Sequence, residues 1–224
     1  GTTQVDKKNK YILSEFQNEW YPKYVFSQFD LESFLRGNKK ILLLNLKNLQ
    51  IDLQRWIVAD VAHNIYELYK QKETELVEIG GGKEPKARAA LILEEAHIFV
   101  PETGEYDLGF NKEIKNKCYN YLVNIALRGR KYGLGLYVIS QRSAFVKKGI
   151  LSQCNTIFAL KTINDNDKKV FYDFMNKDYV ELLSGLEVPE AILVGKASSS
   201  SKPILIEVDN DNSIEKSYLE VAAI

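Results

Sequence analysis

Two adjacent carboxylates, Glu94 and Glu95, close the apolar run Leu91-Ile92-Leu93. Carboxylates at the exit of a buried strand are costly to desolvate unless a cation stands beside them. Mg2+ carried on substrate phosphates suits that place, because it takes one or two carboxylates plus water. One carboxylate then holds the metal's hydration shell while its neighbour polarises an attacking water. Taken alone, the pair reads equally well as two solvated glutamates at a strand end. A second group, Ser140-Gln141-Arg142, ends another apolar run. The Gln141 amide both donates and accepts, so it can orient a water and a terminal phosphate together. It can also simply open a loop, with Arg142 a surface cation. The third group is Arg128-Gly129-Arg130-Lys131. Cations in a last helical turn are stabilised by the helix dipole. The sharper alternative is an arginine that reaches a phosphate held by a neighbouring subunit.

The elements that must position these groups follow from hydrophobic pattern. Ile41 to Leu46 is a continuous apolar run between turn signals, which predicts a strand buried on both faces. Asp52 is placed to cap a helix in which Trp56, Ile57, Val61, Ile65 and Leu68 recur at helical spacing. Residues 71–88, with Gly80-Gly81-Gly82-Lys83-Glu84-Pro85, read as a loop. Ala89 to Glu94 is a second buried strand. A polar loop, 101–111, leads into a helix with Ile114, Cys118, Tyr121, Leu122 and Ile125 on one face, stopping at Gly133. Leu134 to Ser140 and Asn155 to Leu160 are further strands. Asn164 to Met175 and Lys177 to Leu183 read as short helices, and Ala191 to Val194 with Ile204 to Val208 as a late hairpin. Residues 1–38 form a polar and aromatic lead-in, 39–210 the core, and 211–224 a terminal helix or tail. Strands alternating with helices predict an α/β domain with a mostly parallel sheet. Ligands in such sheets bind at the carboxyl ends of strands, where Glu94-Glu95 and Gln141 stand.

Composition excludes little and supports this frame. The chain has 224 residues, 45% of them hydrophobic, which is enough for a core. Lys plus Arg and Asp plus Glu number 30 each, so no global charge argues for nucleic acid or membrane. Cys118 and Cys154 lie far apart without metal-like spacing, and no apolar run approaches the roughly 20 residues a membrane helix needs. A reducing, cytoplasmic setting is the expectation.

The motifs together resemble the HerA/FtsK class of P-loop motor ATPases, and its HerA branch in particular. The resemblance is carried by Leu91-Ile-Leu-Glu-Glu-Ala-His-Ile-Phe, by Ala126-Leu-Arg-Gly-Arg-Lys-Tyr-Gly-Leu-Gly-Leu and by Ile139-Ser-Gln-Arg. Ile150-Leu-Ser-Gln-Cys-Asn-Thr, Asn164-Asp-Asn-Asp and Glu190-Ala-Ile-Leu-Val-Gly extend it, so that it spans roughly residues 30–208. It implies a RecA-like fold, a hexameric homo-oligomeric ring, ATP with Mg2+, and translocation on DNA, with a nuclease as a possible partner. On that resemblance Glu94 is the Walker B acid that holds Mg2+ through water, and Glu95 the catalytic glutamate. Gln141 is the sensor, with Arg142 beside it at the nucleotide. Arg130, and less surely Arg128, is the trans-acting arginine. Lys147 and Lys148 are candidates for DNA contact in the loop after the sensor strand, and equally a solvated pair. The stretch from Glu102 to Lys112 is another candidate contact. His97 matches the family's Glu-Ala-His and takes no role. Glu94 stands where many relatives carry Asp, and Ser143 where they often carry Pro.

One departure is large. No G-x-x-x-x-G-K-[ST] run occurs in the 224 residues. Gly80-Gly81-Gly82-Lys83 follows a helix rather than a strand, and Lys83 precedes Glu84-Pro85 rather than a hydroxyl residue opening a helix. The chain is therefore expected to be the C-terminal part of a longer motor, inactive alone. The alternatives are a non-catalytic RecA-like assembly or partner-binding domain, and a conjugation or packaging ATPase of the same class.

Overall fold

A computed structural model describes residues 41–71, 75–79, 82–86, 88–102, 111–208 and 219–222. The aromatic lead-in, most of the loop after Pro101 and the stretch 209–218 lie outside them. The chain divides into two units, 1–45 with 220–224, and 46–219.

In the first unit, β1 (Ile41–Leu44) pairs with β9 (Leu219–Ala222). This corrects two expectations. The Ile41 and Leu43 side chains are exposed, so β1 is not buried on both faces. Residues 219–222, read from sequence as helix, are a strand. Short β-branched and apolar runs carry either pattern, and pairing decides between them.

The second unit holds the site. Its centre is β4 (Ala89–Leu93) lying parallel to β5 (Leu134–Val138), with Leu93 opposite Val138. Two helices, packed on one another, accompany this pair. In α1 (Ile51–Lys70), Leu53, Ile57, Val58, Ala62, Ile65, Tyr66 and Tyr69 form one buried stripe. In α2 (Lys112–Arg128), Ile114, Cys118, Leu122 and Ile125 recur every three or four residues and are buried. The helices meet along these stripes, and α2 also packs on β5. The His63 and Tyr121 rings stack 4.6 Å apart between them. Asn111 caps α2 by accepting from the amides of Glu113 and Ile114. Past α2, a 3-10 turn at Gly129–Tyr132 reverses the chain into β5 through Gly133, whose φ is 70°. A Cβ there would stand 2.1 Å from the Lys86 carbonyl oxygen, so only glycine fits.

Asp52 does not cap α1. Gln50 occupies that position without a side-chain bond, and Asp52 sits in the first turn with a different task, described below. The expected loop at 71–88 contains an antiparallel hairpin, β2 (Leu76–Ile79) with β3 (Gly82–Pro85). Lys83 lies within β3 opposite Glu78, in a strand rather than at a helix start.

After β5 come a short helix α3 (Lys148–Leu151), β6 (Thr156–Ala159), α4 (Asp165–Phe171), α5 (Lys177–Leu182), β7 (Glu190–Gly195) and β8 (Ile204–Glu207). Strands β6, β7 and β8 form an antiparallel sheet with β7 central. Ala159, Met175, Val180, Leu183, Leu186 and Ile192 make its core. Within the second unit, β4 and β5 pair in parallel, whereas the β2–β3 and β6–β7–β8 pairings are antiparallel.

That pair is covered on one face only. Leu93 is 4% exposed, whereas Ile92 and its register partner Tyr137 are 62% and 59% exposed. The two faces therefore differ in what they contribute to stability. Leu93→Ala will lower the unfolding free energy by about 2–5 kcal/mol in urea titrations. Ile92→Ala will change it by less than about 1 kcal/mol, as exposed positions generally do.

Candidate active site

The ladder between β4 and β5 does not stop at Leu93. The Ile139 amide donates to the Leu93 carbonyl at 2.9 Å, and the Ala96 amide donates to the Ile139 carbonyl at 2.9 Å. These bonds carry the pairing past Glu94 and Glu95 on one side and to Ser140 on the other. The acid pair and the sensor group, 45 residues apart in sequence, thus leave the same sheet edge side by side.

Glu95 turns the chain there. It has φ 50° and ψ 47°, the left-handed region that a non-glycine residue enters at a cost of about 1–2 kcal/mol. The Ile98 amide donates to the Glu95 carbonyl at 2.9 Å and closes a 3-10 turn over Ala96–Ile98. The turn separates the two carboxylates. Glu94 is exposed, while Glu95 is half-buried with its side chain 38% accessible. Its Oε2 is shut off from solvent, 3.3 Å from His97 Nδ1. His97 Nδ1 is also 3.2 Å from Ser140 Oγ, which accepts from the Arg142 amide at 3.1 Å. Gln141 is exposed beyond this cluster, and the Arg142 guanidinium lies 4.3 Å from the centre of the Phe145 ring. An exposed and a half-buried carboxylate next to an exposed amide can hold a hydrated cation and orient a water.

Two long-range polar anchors hold the surrounding loops, and sequence reasoning missed both. Arg55, 1% exposed in α1, donates from Nε to the Ile98 carbonyl at 2.8 Å, and its Nη1 stands 3.9 Å from Asp52 Oδ1. Asp52 Oδ2 in turn accepts from the Asn111 amide at 3.1 Å. One buried pair on α1 therefore fixes both the turn after Glu95 and the start of α2. The only sequence signal was a charged residue inside an apolar helical stripe. The second anchor is Asp167 on α4, whose Oδ1 accepts from the Ala144 amide at 2.8 Å and lies 3.3 Å from Ser143 Oγ. It pins the loop that follows Gln141. Asn164 caps the same helix, so the run Asn164-Asp-Asn-Asp supplies both a cap and an anchor.

No family model matches the chain. It is 30% identical over 173 residues to the DNA double-strand break repair helicase HerA of Sulfurisphaera tokodaii, covering 76% of this chain and 32% of that protein. It is 31% identical over 205 residues to a probable helicase of Methanocaldococcus jannaschii, covering 90% of this chain and 34% of that one. Among solved structures, VirB4 of Thermoanaerobacter pseudethanolicus superposes with a TM-score of 0.51 at 18% identity, over 73% of this chain and 39% of that one. This likeness supports the RecA-like α/β fold. The chain belongs to the HerA/FtsK class. It spans about a third of the length of the curated relatives it matches.

The basic group expected in this class lies elsewhere in the unit. Arg128 ends α2 and Arg130 sits in the following 3-10 turn, both exposed and both before β5 begins. Gln141 comes after β5 ends. Five strand residues at about 3.3 Å each separate the two groups by roughly 15–20 Å. Within one chain the acids and the sensor are brought together, and the arginines are not. Lys147 is half-buried with Nζ 4.4 Å from the centre of the Tyr119 ring, and Lys148 is exposed. Most of the Glu102–Lys112 segment falls outside the described residues. Glu102 itself accepts from the Lys148 amide through Oε2 at 3.1 Å. Among the described residues no three His, Cys, Asp or Glu side chains converge as a preformed metal site. Burial in α2 pushes the Cys118 thiol up to about 12, and burial raises the Cys154 thiol as well, so both favour the unreactive thiol form.

Asp167→Ala will cost about 1–3 kcal/mol of stability, because it strands the half-buried Ala144 amide. Hydrogen exchange at Ala144 will accelerate, while that of the central strand β7 stays slow.

Proposed function

We propose that this chain supplies the acidic and sensor half of the nucleotide-hydrolysis site of a HerA-like, ring-forming DNA motor. The observation that carries the reading is the extension of the β4–β5 ladder, which sets Glu94-Glu95 beside Ser140-Gln141 at the carboxyl ends of two parallel strands. The relatives named as DNA repair helicases support the direction, and the partner class is DNA.

In this reading Glu94, exposed at the strand end, holds the hydration shell of Mg2+ carried by ATP. When bound, Mg2+ neutralises charge on the phosphates. Glu95 orients and deprotonates the attacking water through its accessible oxygen. Gln141 donates its amide toward the terminal phosphate and reports its presence to the loop anchored by Asp167. Arg130, or Arg128, reaches the phosphate of a neighbouring subunit. Their distance from Glu95 within one chain fits action across a subunit boundary. Lys147 and Lys148 lie on the loop proposed to meet the DNA backbone. No G-x-x-x-x-G-K-[ST] run occurs among the 224 residues, so in this reading a segment outside them supplies the phosphate cradle in the working motor.

The test is ATP turnover by the protein in its full polypeptide context. Glu95→Gln will lower kcat by about 10²- to 10⁴-fold, the range for a lost general base, with nucleotide binding retained. Turnover unchanged in Glu95→Gln overturns the assignment and favours a non-catalytic assembly domain. The 224-residue chain by itself will bind ATP weakly and release no phosphate above background. Appreciable turnover by it, abolished in Glu95→Gln, would show that it holds phosphates without a glycine-rich loop.

A further inference from the structure

The contacts around Oε2 of Glu95 give a role to a residue that sequence left without one. A carboxylate offers only lone pairs, so the 3.3 Å approach of His97 Nδ1 to Glu95 Oε2 is favourable only if Nδ1 carries a proton. Ser140 Oγ, 3.2 Å from the same nitrogen, already accepts from the Arg142 amide, and its second lone pair can share the Nδ1 proton. The side chain of His97 is itself 22% accessible, so the ring is mostly enclosed. Glu95 is held in a left-handed backbone conformation, and its buried Oε2 makes no hydrogen bond of full geometry among the described residues, with His97 Nδ1 at ion-pair distance beside it.

We propose that His97 is a positioning residue that donates from Nδ1 to Glu95 Oε2, with Ser140 as the second acceptor, and so fixes which carboxylate oxygen faces the water. The imidazole spans the two strand ends and ties the rotamer of Glu95 to the strand that leads into Gln141. Which ring nitrogen of a histidine carries the proton is set by the bond that the other side makes, so the arrangement has a direct signature. Two acceptors at Nδ1 favour a proton on that nitrogen. A functional effect on hydrolysis rests on the catalytic reading of Glu95 given above. The geometric claim does not.

Two measurements test it separately. The chain contains two histidines, His63 and His97, so ¹⁵N NMR of the ring nitrogens resolves both, with a His63→Gln variant for assignment. Nδ1–H is expected for His97 in the wild-type chain, shifting to the Nε2–H form in Glu95→Ala. An Nε2–H ring in the wild type, or a tautomer indifferent to Glu95→Ala, overturns the proposal. In the full polypeptide context, His97→Leu is expected to lower kcat roughly 10- to 100-fold at unchanged KM, the scale of a misplaced catalytic group. His97→Asn, which keeps a donor near the Nδ1 position, is expected to restore most of it. Equal losses in both variants, or none in either while Glu95→Gln is inactive, overturn the positioning role. If Glu95→Gln keeps wild-type turnover, the hydrolysis reading fails instead, and the ring tautomer alone decides the His97 contact.

Discussion

Parallel strands cannot be joined by a tight turn, so β4 and β5 meet only because the α2 crossover between them folds back onto the sheet. Everything at the site depends on that pairing. Its register, Leu93 against Val138, places the two polar strand exits level with each other. Its continuation through the Ile139 and Ala96 amides then holds a left-handed glutamate in place. Without those bonds the strain at Glu95 would have no opposing force, and the carboxylates would separate from the sensor group.

The packing serves the same end from outside. Helices α1 and α2 close on one another through apolar stripes, which are non-directional and leave loop positions undetermined. Directional contacts complete the job. Arg55 and Asp52 are buried and bond the backbone at Ile98 and Asn111, in the turn after the acid strand and at the start of α2. Asp167 does the equivalent for the loop after the sensor. Buried charges are expensive unless they are paired and hydrogen-bonded, so each sits where a backbone group needs a partner. The site is polar at its rim and held by polar anchors from behind.

The exposed face of the pair, with Ile92 and Tyr137, is the counterpart of this economy. Parallel sheets in α/β proteins are normally covered on both faces. Here the covered face carries the helices and the anchors. The catalytic groups stand at the strand ends, where neither face is required to be apolar. That separation lets the acid and sensor groups be assembled by 46–219 on its own terms.

Most helices and strands were legible in sequence, because helical stripes such as Ile114-Cys118-Leu122-Ile125 and bounded apolar runs such as Leu134 to Val138 are local patterns. So were the candidate residues, whose types and order already pointed to phosphate chemistry. The hairpin at 76–85 and the strand at 219–222 were missed, since pairing partners far away decide short ambiguous segments. Asp52 was recognised as polar and important at a helix start, but its bond goes 59 residues ahead rather than to its own helix. By itself, then, the sequence determined which groups could do chemistry and which segments would carry them. Only the tertiary structure decided which groups meet. It joined Glu95, His97 and Ser140 through a long-range ladder and left Arg128 and Arg130 at the far end of the same strand. Such distances depend on register and chain closure, which no local pattern encodes.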